Sequence, residues 1–205
     1  SVNVCLACAE GTYSTAGDAQ TSDSTCDNKC SAGKWSDQVG LISDAQCTSC
    51  ASGRYSISGE AQISIDVCVA CAAGRYSTLD AQISIVVCNP CQAGRYSTSE
   101  GQASPSDCTE CLPGTYSVAG TAQTSPTVCI KCQGGTYSDF GAGQISSSVC
   151  KPCNSSGYTC PPGSTSPNAT TSICRVGEYS NEAEATSCKV CDIGQYQDVQ
   201  GQKQC

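Results

Sequence analysis

Cys47-Thr48-Ser49-Cys50-Ala51-Ser52-Gly53-Arg54-Tyr55-Ser56 is one copy of a pattern that recurs along nearly the whole chain. The pattern is Cys-x-x-Cys, then glycine three residues and an aromatic five residues after the second cysteine, usually followed by serine. The next pair, Cys68-x-x-Cys71, arrives after 17 intervening residues. Counted from the second cysteine of each pair (the opener), the aromatics fall at Tyr13, Trp35, Tyr55, Tyr76, Tyr96, Tyr116, Tyr137, Tyr158, Tyr179 and Tyr196, which are all nine tyrosines and the only tryptophan. The glycine is displaced only after Cys153, where Ser156 stands and Gly157 follows. Ten openers in 205 residues give a period of about 20. A unit this short cannot bury a core of its own. The predicted fold is therefore an elongated rod of small disulfide-rich modules, each a short hairpin, mostly irregular, with short β-strands and almost no helix.

Composition agrees with that reading. The chain holds 21 cysteines, one phenylalanine, no methionine and no histidine. Cysteine at this density marks a disulfide scaffold in an oxidising, extracellular or cell-surface setting. Large aliphatic residues are too sparse for a single core. The net charge is −8 and the ten basic residues are thinly spread, so no basic patch for nucleic acid or anionic lipid is present. No apolar run approaches the ~20 residues of a membrane span, and no membrane contact is expected within these residues.

The repeats organise the chain into four stretches: residues 1–8, the end of an upstream repeat; 9–150, seven regular repeats; 151–190, an irregular segment with the inserted Cys160; and 191–205, a shorter final repeat. Ser1-Val2-Asn3-Val4-Cys5 resembles the repeat end Ser147-Ser148-Val149-Cys150. Cys5 is accordingly expected to pair with an opener upstream of residue 1, the alternative being a free or intermolecular thiol. The repeat ends are patterned as well: Ala61-Gln62-Ile63-Ser64-Ile65 and Ala81-Gln82-Ile83-Ser84-Ile85 alternate as very short strands do. Strands of about five residues at about 3.4 Å each predict about 15 Å of rise per repeat. Within a repeat, the glycine is expected to permit a tight turn or a close backbone approach. The aromatic ring is expected to lie over the disulfide of its own or the adjacent unit, a packing role preferred to an exposed stacking surface for sugar or peptide.

Cys47-x2-Cys50-x17-Cys68-x2-Cys71 also fits the spacing of a zinc ribbon. Against metal stand the unbroken array, which never separates into groups of four, the lack of histidine, and the lack of basic residues to offset serial tetrathiolate sites. The expected bonds join each opener to the next cysteine: Cys8–Cys26, Cys30–Cys47, Cys50–Cys68, Cys71–Cys88, Cys91–Cys108, Cys111–Cys129, Cys132–Cys150 and Cys191–Cys205. Cys153, Cys160, Cys174 and Cys188 admit three pairings. The interlaced one, Cys153–Cys174 with Cys160–Cys188, is preferred; the aromatic register favours Cys153–Cys160 with Cys174–Cys188.

Cys-x-x-Cys-x-x-Gly-x-Tyr-Ser, closing on the next Cys-x-x-Cys, resembles the ephrin-receptor-like cysteine-rich repeat and is similar to the simplest module of tumour necrosis factor receptor ectodomains. The interlaced pairing is similar to the second module of those receptors. The resemblance covers essentially the whole chain. It implies an extracellular, elongated, β-poor protein with roles in adhesion, ligand binding or assembly, and no catalysis. Receptors interleave two module types, whereas one type runs seven times here, which favours a spacer or fibre.

No catalytic, cofactor-binding or metal-ligating residue is expected, and no cofactor. Without histidine there is no Ser-His-Asp arrangement. Glu178, Glu182 and Glu184 form the densest acidic group, read as a solvated loop ahead of a Ca²⁺ site. Asn154-Ser155-Ser156 and Asn168-Ala169-Thr170 are N-glycosylation sequons, expected to carry glycan. The leading expectation is a structural extracellular protein, part of a filament, cell-surface appendage or stalk, whose partners are copies of itself or other extracellular proteins. The alternative is a receptor or adhesin ectodomain that binds a protein ligand near residues 153–190.

Overall fold

In a computed structural model, the described residues are 6–17, 20, 22–153, 157–168, 173–182 and 185–205. They form small hairpin modules joined by disulfides, with no α-helix. The repeat opened by Cys50 shows how one module is made. A turn closes with Arg54 N–H donating to Ala51 O (3.1 Å), and Gly53 turns the corner at φ +80°. The strand Arg54–Tyr55 then pairs antiparallel with Val69–Ala70. Between the strands the chain passes through Ala61 at φ +58° and ends in a 3-10 turn, Ile65–Val67. The Oγ of Ser64 caps that turn by accepting from Asp66 N–H, and Cys68 N–H donates to Ile65 O at 2.9 Å. This delivers Cys68 to Cys50. The same cap recurs at Ser43, Ser84, Ser104, Ser125 and Ser146.

Two expectations about strands change. The strands are two residues long, not about five, because the chain leaves the pairing at the buried serine that follows each aromatic. The Ile-Ser-Ile alternations are not strands: in both, the serine is the N-cap of a 3-10 turn and the isoleucines flank it in solvent. A period of two arises equally from a strand and from an extended cap leading into a turn.

Successive repeats are joined by backbone hydrogen bonds. From Cys30 onward each opener donates to the glycine carbonyl of the repeat before it, as in Cys50 N–H to Gly33 O (2.9 Å), and Cys30, Cys50, Cys71, Cys111, Cys132 and Cys174 also accept from the repeat after them, as Cys50 does from Ala81 N–H (2.7 Å). Gly53 N–H donates to Ser77 O (2.7 Å), and Ser56 N–H to Gln82 O (2.8 Å). A parallel bridge places Tyr55 beside Gln82. These bonds satisfy backbone groups that a lone two-residue hairpin would leave to water. Contact also reaches one repeat further. A Cβ placed on Gly53 would lie 2.1 Å from the carbonyl oxygen of Gly101, two repeats on, so this position takes glycine both for its dihedral and for its neighbour.

The chain divides into two compact units, one of Ser1–Cys91 with Ser97–Cys108, the other of Gln92–Tyr96 with Thr109–Cys205. The same bonds recur within the second: Cys132 N–H donates to Gly114 O (3.0 Å), Gly143 N–H to Cys111 O (2.8 Å) and Ser138 N–H to Ser164 O (2.9 Å). Gly114 faces the Gly163 carbonyl two repeats on, with a Cβ-to-oxygen distance of 2.2 Å.

The left-handed position of the long loop is glycine at Gly40, Gly101, Gly143, Gly163 and Gly201, but alanine at Ala61, Ala81 and Ala122, with φ of 55° to 60°. An L side chain there costs about 1 kcal/mol. Ala61→Gly and Ala81→Gly should therefore each stabilise the chain by about 0.5–1 kcal/mol, read as a raised Tm.

Candidate interaction surfaces

The interior of the modules is sulfur and serine. Openers Cys30, Cys50, Cys71, Cys91, Cys111, Cys132 and Cys174 are buried, and so are Ser36, Ser56, Ser77, Ser97, Ser117, Ser138 and Ser180, each one residue past its aromatic. The serine is a junction. Ser36 O accepts from Gly11 N–H of the preceding repeat (3.0 Å) while Ser36 N–H donates to Gln62 O of the next (2.9 Å). Its Oγ accepts from Gln38 N–H at 3.1 Å, so a small side chain that satisfies itself locally fits the space. The serine was visible in the repeated motif; its place between repeats was not.

The aromatics are half-buried from Tyr13 to Tyr179 and sit at one register except Tyr158, which pairs with Ile173 and so takes the place held elsewhere by the residue before the aromatic, as Arg54 does opposite Ala70. Tyr13 packs on Cys30, Leu41 and Cys47, so its ring lies over the disulfide of the adjacent repeat. Tyr196 differs: it is 82% exposed.

Ten disulfides link the described cysteines. All ten join an opener to the next cysteine along the chain, and eight of them are the bonds expected from the sequence: Cys8–Cys26, Cys30–Cys47, Cys50–Cys68, Cys71–Cys88, Cys91–Cys108, Cys111–Cys129, Cys132–Cys150 and Cys191–Cys205. The interlaced pairing preferred from the sequence is replaced by Cys153–Cys160 and Cys174–Cys188. The reason lies in the junction. Cys160 O accepts from Gly135 N–H, and Cys160 N–H donates to Ala185 O, both at 2.8 Å, which are the bonds made elsewhere by the buried serine. The inserted cysteine thus occupies the serine's place, fully buried, and from there reaches Cys153. Cys174 N–H donates to Gly157 O (3.0 Å), as openers do, which leaves Cys188 to close its loop.

The remaining candidate residues do not converge. Asn168 is exposed in a turn, its backbone N–H bonded to Ser166 Oγ (3.2 Å). Asn154, Glu184 and Cys5 lie outside the described residues. Glu178 Oε2 accepts from Arg175 N–H within its own turn, while Glu182 pairs with Lys189. Among the described residues no group of histidine, cysteine or acidic side chains is arranged to hold a metal ion. Nor is any helix there long and apolar enough to cross a membrane.

One half-buried charge pair, Lys34 with Asp44, gives a pH-dependent contact. Asp44 loses hydration on partial burial, which raises its pKa. The hydrogen bond from Lys34 Nζ (2.6 Å) and the one from Ser31 N–H (2.8 Å) outweigh this and hold the carboxyl below its ordinary value. The native carboxyl therefore binds its proton less tightly than the unfolded one. Its stabilisation is complete above the unfolded pKa of about 3.9 and is lost as pH falls through the lower native value. As pH falls from about 5 to about 2 the wild-type chain should lose stability that Asp44→Asn does not lose, read as converging thermal melts.

No protein-family model matches the sequence, and no curated protein is significantly similar to it. What stands from the structure is an array of small two-strand hairpins carrying ten regular disulfides, consistent with a cysteine-rich repeat protein of an oxidising environment.

Proposed function

We propose that the chain is a structural extracellular protein: a disulfide ladder of ephrin-receptor-like repeats that forms part of a filament, cell-surface appendage or stalk, and is not an enzyme. The observation that carries this reading is the use each repeat makes of its neighbours. Opener, glycine and serine spend their backbone groups on the repeats before and after them. A module whose polar backbone is committed to its own kind is suited to setting length and stiffness. Glycan on Asn154 and Asn168 would suit such a solvated surface. Electron microscopy of native material tests the proposal. Ordered polymers are expected; isolated monomers bound to a soluble partner would overturn it. That second outcome is the receptor or adhesin reading, which draws support from the one repeat whose closing cysteine is displaced, Cys153–Cys160.

A further inference from the structure

The isoleucines of the third and fourth repeats have no role inside the fold. Ile63 and Ile65 are 52% and 56% exposed, Ile83 and Ile85 58% and 60%, and Val86 82%. They flank the capping serines Ser64 and Ser84 at the same two positions of consecutive repeats. The molecule supplies its own control for whether the turn needs them. Ser104-Pro105 and Ser125-Pro126, preceded by Ala103 and Thr124, form the same capped 3-10 turn without isoleucine. Only the third and fourth repeats carry isoleucine at both places. Single exposed apolar residues are ordinary on protein surfaces; a set repeated in register on adjacent modules marks a contact surface.

The flanking charges point to the occupant. Arg54 and Arg75 each hold a guanidinium at the foot of one of these turns, donating to Cys68 O (2.8 Å) and Cys88 O (2.9 Å). Asp66 lies in the first of the two turns, accepting from Ser64 Oγ at 3.0 Å. The surface therefore carries apolar groups and both signs of charge, the mixture a self-complementary two-fold contact requires. Its isoleucines and its arginine recur once in each of the two repeats. A partner that engages both repeats at once must present the same period, as a second copy of this chain does.

We infer that the Ile63/Ile65 and Ile83/Ile85 turns form a side-to-side docking surface for a second copy of the same chain. This rests on the scaffold reading and deepens it by naming where copies meet. Sedimentation equilibrium of the 205-residue chain tests it, after mass spectrometry has verified the disulfides. The wild type should show a concentration-dependent dimer. Changing Ile63, Ile65, Ile83 and Ile85 together to serine should weaken association by about 100-fold or more. The side chains are in solvent and their turns form without isoleucine, so the disulfide pattern should be unchanged. Val118→Ser, an exposed apolar residue of the second unit, should leave association as it was. A wild type that stays monomeric at all concentrations overturns the inference. So does a serine variant that dimerises as tightly, or a Val118→Ser chain that weakens equally. A dimer that depends on these isoleucines while native material shows no ordered polymer would remove the filament and leave the docking surface.

Discussion

Gly53→Ala should destabilise the first unit by about 3 kcal/mol or more, the larger part from a clash with a residue 48 positions away. The dihedral alone, φ +80°, costs about 1 kcal/mol once a Cβ is present. The added Cβ would also lie 2.1 Å from Gly101 O and 2.6 Å from its carbonyl carbon. Both are backbone atoms fixed by Gly101 N–H donating to Cys71 O (2.8 Å), so no side-chain rotation relieves the overlap. Gly59→Ala is the matched control: no atom stands within 4 Å of its Cβ, and its cost should stay within about 0.5 kcal/mol. Differential scanning calorimetry reads both. Hydrogen exchange should also show loosened amides around Gly101 in the first variant, and equal costs for the two variants would contradict the two-repeat contact.

The second large effect is removal of a rung. Cys50→Ala with Cys68→Ala should cost about 3 kcal/mol from the loop of 18 residues that the bond closes, with a further loss from the cavity in a site where both sulfurs are buried. The damage should be regional. Cys50 N–H and C=O bind Gly33 and Ala81, so exchange should accelerate in the repeats on either side and fade beyond them. Reduction of all ten bonds should abolish the fold, since apart from the sulfurs and Leu41 the large apolar side chains among the described residues are at most half-covered, as the rings and Val67, Val87, Val128 and Val149 are. Unfolding by chelator alone, with free thiols recovered, would instead favour the zinc reading.

Much of this architecture was legible in the sequence because the constraints that make it are local and repeated. One cysteine pair, one glycine and one aromatic per period announce the rungs. What escaped reading did so for identifiable reasons. The left-handed loop position was masked because Ala61, Ala81 and Ala122 occupy a conformation that favours glycine, so no invariant residue flags it. The Ile-Ser-Ile stretches carry a strand's period while serving as caps. Cys160 was misassigned because its partner depends on which backbone groups meet between repeats. It stands in a serine's place, and spacing along the chain does not reveal that substitution.

The contact between Gly53 and Gly101 also bears on how such a chain is made. During synthesis the repeat of Cys50 gains the last neighbour it packs against only when residue 101 has followed it, 48 residues later. Elongation at about 5–20 residues per second makes that a delay of several seconds. Through that interval its hairpin and cysteines stand without their downstream cover, and a wrong bond there stays open to thiol–disulfide exchange. The structure matures as a wave that trails the ribosome by two repeats.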